Sequence, residues 1–226
     1  MQAYLGNYDS SEDKLCNYAT LYWGLHCENT RSNHRSTALL SEFLFGGEHL
    51  EDWLENTRRT SDELDWNSNL ARKLQVAASS PASPLFAICC FGLVEVLQEN
   101  KNAAKILNWD CVNNDEASGI YLTARWGHSE SVKYLISQHS NVNALGGQFG
   151  SALQASAFTG HEEIVLLLLK NGAIISSSGY FSDPIQTSIA GGHPLIAKTI
   201  LSNDFQFSDQ AHFDSCLSLA AISGYF

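Results

Sequence analysis

Three histidines recur in one frame. His128, His161 and His193 each follow a glycine, at spacings of 33 and 32 residues. Imidazole is the commonest side-chain metal ligand, so such a ladder first suggests a metal site. The spacing argues against it. One histidine per structural unit sets neighbouring rings about 8–10 Å apart, the distance between packed helices, whereas a zinc ligand must approach to about 2 Å. Each histidine is therefore expected to open a helix and hydrogen-bond local backbone. The other reactive residue types are equally dispersed. His161-Glu162-Glu163 lacks the second histidine of H-E-x-x-H, because position 165 is Val. No G-x-S-x-G elbow and no G-x-x-x-x-G-K-S/T phosphate cradle occurs. The six cysteines, at 16, 27, 89, 90, 111 and 216, form no C-x-x-C pair. Reduced, mostly buried thiols are the expectation. No catalytic residue, no metal site and no cofactor follows from these patterns.

Charge narrows the partners. Lys plus Arg number 13 against 24 Asp plus Glu, a net charge of −11. Nucleic-acid binding needs clustered cations, yet the only adjacent basic pairs are Arg58-Arg59 and Arg72-Lys73. No apolar run approaches the roughly 20 residues that span a bilayer, and the first residues carry no signal-like pattern. The expected setting is intracellular, in the cytoplasm or the nucleus, with protein partners and neither nucleic acid nor membrane.

The elements that position any site come from a repeat. Glycines at 92, 127, 160, 192 and 224 share one frame. Seven residues before each sits an aliphatic: Leu85, Ile120, Leu153, Ile185 and Leu217. Three and four residues before each lie small or apolar side chains, such as Ala124 with Thr123 and Ala157 with Ser156. This i, i+3, i+4 spacing predicts a short helix with one buried stripe. A second helix follows each glycine. Ile164, Val165, Leu167, Leu168 and Leu169 give it an apolar face, with Val132, Tyr134, Leu135 and Ile136 one unit earlier and Leu195, Ile196, Ile200 and Leu201 one unit later. Asn171-Gly172-Ala173 is a helix stop. The stretch Ser140–Gly147 reads as a hairpin-like connection.

A helix–turn–helix–turn unit of about 33 residues resembles the ankyrin repeat. Ser83-Pro84-Leu85-Phe86, Ser151-Ala152-Leu153-Gln154 and Asp183-Pro184-Ile185-Gln186 stand where that family has Thr-Pro-Leu-His. Gly160-His161 and then Glu163–Ala173 complete the strongest copy. The resemblance implies an all-α ankyrin-repeat solenoid over residues 81–226. The first copy is degenerate: its second helix either thins out at Glu99-Asn100-Lys101-Asn102 or shifts to Ala103–Leu107. The chain stops at Gly224-Tyr225-Phe226, where a second helix should begin, so a fragment or truncation is expected.

Residues 1–80 lack the frame and read as a separate helical region. Helices are expected over residues 11–28, around Leu39–Leu44, around Leu50–Leu54 and over Leu64–Ala78. The segment Asn17–Cys27, with Phe43-Leu44 and Trp53-Leu54, is similar to the helical stretch preceding ankyrin repeats in fungal NACHT-type (NLR-like) signalling ATPases. Gly147–Ala155 and Gly160–Val165 resemble repeats of the same group. That resemblance implies a recognition or scaffold segment of such a protein, the ATPase itself being absent from this sequence. The alternative is a substrate-targeting adaptor of an enzyme complex such as a ubiquitin ligase.

The two positions before each glycine lie about 140° and 240° from the leading aliphatic around the helix, and so face away from the core. The ankyrin resemblance implies that they line a concave recognition surface. Phe91, Arg125 with Trp126, and Phe158 with Thr159 occupy them. Leu145, Gln148 and Phe149, then Tyr180 and Phe181, stand at hairpin tips. The rings either bind a partner or pack against adjacent hairpins. The candidate partner-binding set is Phe91, Arg125, Trp126, Phe158, Thr159, Leu145, Gln148 and Tyr180.

Overall fold

A computed structural model describes residues 34–46, 48–60, 68–81, 83–100, 102–175, 183–203, 210–222 and 224. The helix expected over residues 11–28 and the tip formed by Tyr180 and Phe181 lie outside the described residues. The described chain is helical and divides into two compact units, Met1–Ala103 and Ala104–Phe226.

The first unit holds helices α1 (His34–Phe45), α2 (Glu48–Thr60), α3 (Asn69–Ala77), α4 (Pro84–Phe91) and α5 (Val94–Glu99). In α2 the residues Leu50, Trp53, Leu54 and Thr57 are buried, an i, i+3, i+4, i+7 stripe that faces the core. The Trp53 ring meets Phe43 of α1 edge-on, with centroids 6.3 Å apart. Leu44 of α1 is buried as expected, whereas Leu39, expected on the same face, is exposed and Thr37 is buried in its place. Ser68 caps α3 by accepting from Ala71 N, and Ser83 caps α4 with Pro84 at its first position. Arg58 Nε donates to the Ala78 carbonyl (2.8 Å), tying α2 to the end of α3. The second helix of the degenerate copy is α5, only six residues long, and it buries Val94, Val96 and Leu97. A separate four-residue helix, α6 (Ala103–Ile106), follows it. Both alternatives read from the sequence thus have a counterpart.

The second unit repeats one hairpin of helices. It holds α7 (Gly119–Trp126) with α8 (Ser129–Ser137), α9 (Ala152–Thr159) with α10 (Glu162–Lys170), and α11 (Pro184–Ala190) with α12 (Pro194–Leu201), then α13 (Gln210–Ile222). First helices pack on first helices, α7 on α9, α9 on α11 and α11 on α13. Second helices form the other layer, α8 on α10 and α10 on α12. Each full hairpin starts at a cap nine residues before its frame glycine: Ser118, Ser151 and Asp183. The leading aliphatics Ile120, Leu153 and Ile185 are all buried. Each such side chain contributes about 1.5–3 kcal/mol through burial. The second helices bury i, i+1, i+4 triplets, Ile164, Val165 and Leu168 in α10 and Ile196, Ala197 and Ile200 in α12. Leu195 and Leu201, expected in the same face, are exposed because they fall beside that triplet.

The glycines close the hairpins. Gly127 and Gly160 stand at φ +82° and +86°, a left-handed conformation that costs an L side chain about 1–2 kcal/mol. Space forbids a Cβ as well: it would sit 2.5 Å from His161 Cε1 at Gly127, and 2.5 Å from His193 Cε1 at Gly160. Each ring therefore covers the glycine of the preceding repeat. The histidines do open the second helices, but His128, His161 and His193 make no side-chain cap bond there. The loops between repeats are closed by single β-bridges, Val112 to Ser118 and Leu145 to Ser151. Successive loops are laced together: Gly147 N donates to the Asp115 carbonyl (2.8 Å), and Ile174 N to Asn143 Oδ1 (2.7 Å).

The last copy departs from the frame. Its cap should be Ser215, yet α13 begins at Gln210 and runs through that position. Leu217, expected to lead the buried stripe, is 40% exposed, and Cys216 is buried in its place.

Candidate functional site

The C-terminal turns of α7 and α9 bring together a cation and four rings. Arg125 and Trp126 are partly exposed at the end of α7. The Arg125 guanidinium lies 5.1 Å from the Trp126 ring centroid and 5.6 Å from that of Phe149. Contacts of this kind hold a cation by the negative face of the ring. Phe149 in turn stacks on Phe158 of α9, centroids 4.4 Å apart and planes 26° from parallel. The order Trp126, Arg125, Phe149, Phe158 is one continuous row.

Tyr121 anchors it from beneath. It is buried on α7, and its Oη accepts a hydrogen bond from Phe149 N (3.2 Å). Burial pushes its phenol above the usual value, and the Phe149 and Arg125 hydrogen bonds partly offset this. The phenol therefore stays protonated at neutral pH. Gly147 (φ +69°) lets the loop approach, because a Cβ there would collide with the Tyr121 ring.

His161 supports the same turn. Its ring is hydrogen-bonded to the Arg125 backbone, and burial lowers its pKa from 6.5, with the charge of His193 acting in the same direction. The notion of a bond to local backbone is corrected here: the partner lies one repeat earlier.

The expected binding residues separate on this geometry. Arg125, Trp126 and Phe158 are brought together. Thr159 is at the rim, but its hydroxyl donates to the Ala155 carbonyl (2.8 Å), a bond within its own helix. Leu145 is 61% exposed and Gln148 is exposed on the loop beside the row. Phe149, open between tip and packing roles, is only 3% exposed and packs. Phe91 is corrected. It is fully buried in the first unit, with Lys73 Nζ 5.8 Å from its ring centroid. The reason is that α4 is buried on every side from Leu85 to Phe91, so no face is left for a partner. Tyr180 lies outside the described residues. Tyr121 is the contributor that the sequence reading missed; Phe149 was placed at the tip, and its packing alternative is the one seen. The glycines flanking Gln148-Phe149 were the available signal for a loop that folds back on a ring.

The frame of caps, glycines and paired helices agrees with comparison to known proteins. Residues 85–179 match the family described as Ankyrin repeats (3 copies). Residues 85–179 carry ankyrin repeats. The fold is an all-α ankyrin-repeat solenoid, and the family is generally non-catalytic. The chain is also 26% identical over 163 residues to Neurogenic locus notch homolog protein 1 of Mus musculus, of Cricetulus griseus and of Homo sapiens. These matches cover 66% of this chain and 6% of each relative, so the chain spans a small part of their length. Among the described residues, no helix is long and apolar enough to cross a membrane.

Proposed function

We propose that the chain is a non-catalytic protein-recognition module whose contact surface centres on Arg125, Trp126 and Phe158. The supporting observation is Arg125 held between the rings of Trp126 and Phe149 while it and Trp126 remain partly exposed. Trp and Arg dominate binding hot spots. A side chain already fixed by its neighbours loses less entropy on binding. Leu145 and Gln148 flank the surface on the adjoining loop, and Tyr180 is proposed to extend it. The partner is a protein rather than a nucleic acid, in keeping with the net charge of −11. An intracellular setting, cytoplasmic or nuclear, accords with the absence of paired cysteine motifs.

The resemblance of residues 17–27 and of the repeats points further, to the recognition or scaffold part of a fungal NACHT-ankyrin signalling protein. Affinity capture from a native extract with the full chain tests both levels. Co-purifying ATPase or death-inducing domains support the signalling role; ubiquitin-ligase components support the adaptor role instead. Trp126→Ala is expected to lose the captured protein while the melting temperature stays within a few degrees. Retention of that protein by Trp126→Ala contradicts the surface, and a large loss of stability assigns Trp126 to the core.

A further inference from the structure

The departure of α13 from the repeat frame gathers three donor side chains. His212 and Cys216 are four residues apart on α13 and so share a face. That face meets the start of α11, where Asp183 sits. One ligand atom from each of Asp183, His212 and Cys216 lies within 4.8 Å of the other two. We propose that these three residues form a binding site for one zinc-class divalent cation.

The donor set suits that chemistry. A carboxylate oxygen, an imidazole nitrogen and a thiolate sulfur are the three ligand types that zinc takes from proteins. Tetrahedral coordination at bond lengths of about 2.0–2.3 Å needs donors about 3.3–3.7 Å apart. His212 Nε2 now lies 2.5 Å from Asp183 Oδ2, so that pair must open by roughly 1 Å. Cys216, with its ligand atom within 4.8 Å of the other two, needs to close by at most about 1 Å. Side-chain rotation supplies both movements.

The carboxylate is already oriented. Asp183 Oδ1 accepts from Ile185 N (2.6 Å) and Gln186 N (3.1 Å) as the cap of α11. This leaves Oδ2 directed at His212. A ligand held by hydrogen bonds to its other atom is the usual outer support of a metal site. The side chain of Asp183 is 2% exposed and that of His212 is 12% exposed, so the cluster is enclosed but reachable. Desolvating a carboxylate is costly unless positive charge accompanies it.

The same arrangement disfavours nucleophilic catalysis. Burial, and next the charge of Asp183, push the Cys216 thiol up to about 11, so it is protonated at neutral pH. A cation changes that balance. On binding, the Cys216 S–H bond breaks, its electron pair forms the sulfur–metal bond, and one proton leaves to solvent. The His212–Asp183 hydrogen bond is replaced by two metal–ligand bonds: the proton between Nε2 and Oδ2 leaves through solvent, Nδ1 carries the imidazole's one remaining proton, and the freed Nε2 lone pair binds the metal. No electron is transferred, and the fourth position takes water. The site is independent of the recognition surface and does not rest on it.

The test uses the full chain, stripped with chelator and titrated with Co²⁺ as a coloured stand-in for Zn²⁺. The expected result is one Co²⁺ per chain, with a sulfur-to-cobalt charge-transfer band and the visible bands of four-coordination, all displaced by Zn²⁺. Cys216→Ser should abolish the charge-transfer band, and His212→Gln should weaken binding by about tenfold or more. A Cys16→Ser/Cys27→Ser double variant should keep both properties. X-ray absorption of the Zn²⁺-loaded wild-type chain, which needs no variant to fold, should show one sulfur neighbour among nitrogen and oxygen. Absence of a sulfur neighbour, or a charge-transfer band that survives in a folded Cys216→Ser chain, overturns the proposal.

Discussion

The third and fifth copies of the frame use similar residues to different ends. In the third, Ser151 caps α9, Leu153 is buried and Gly160 is covered by the His193 ring. In the fifth, Ser215 lies inside α13, Leu217 is 40% exposed and a Cβ at Gly224 would meet nothing within 4 Å. The frame glycine is left-handed in both, at φ +86° and +75°. The difference shows that the glycine conformation is local, whereas the cap and the buried stripe depend on what packs around them. A repeat motif is therefore a statement about neighbours as much as about its own residues.

Matched substitutions put the comparison at risk. Leu153→Ala should cost about 2–5 kcal/mol in chemical denaturation, the range for a buried leucine that leaves a cavity. Leu217→Ala should cost less than about 1 kcal/mol; an equal loss would mean that the fifth copy keeps the frame's packing in solution. Next come the glycines. Gly160→Ala combines left-handed strain with a collision against His193, together about 2–4 kcal/mol. Gly224→Ala meets only the strain, about 1–2 kcal/mol. Ser151→Ala removes a cap and should cost about 1 kcal/mol, and Ser215→Ala should be close to neutral.

The smallest expected effect is a pH dependence. The pKa of folded His161 is lowered from 6.5. Between its folded and unfolded values the unfolded chain binds more protons, so stability rises with pH in that window. The contribution is complete above about pH 6.5 and is lost as pH falls toward the folded value. Thermal melts of wild type and His161→Gln between pH 5 and 8 should show a shallower acid dependence in the variant. Identical slopes would remove His161 from the account.

What the sequence made legible follows the same division. Ser83, Ser151, Asp183, Gly127 and Gly160 could be placed because caps and left-handed turns depend on a few adjacent residues. The stacking of Phe149 on Phe158 and its bond to Tyr121, 28 residues earlier, could not, because both depend on how a loop folds onto neighbouring helices. Phe91 failed for another reason. The angular argument assumes one buried stripe, but Pro84–Phe91 is apolar all round, and that composition alone marks a helix without an outer face. His212 and Cys216 drew no reading from the sequence, because their third partner, Asp183, is brought near only by the contact between α11 and α13.

Hydrogen exchange of the full chain, with and without its captured protein partner, measures the central claim most directly. The account predicts that added protection concentrates on the end of α7 around Arg125 and Trp126, on the loop carrying Leu145 and Gln148, and on the end of α9. Protection confined to the second helices α8, α10 and α12, with the turns at Trp126 and Phe158 unchanged, would contradict it.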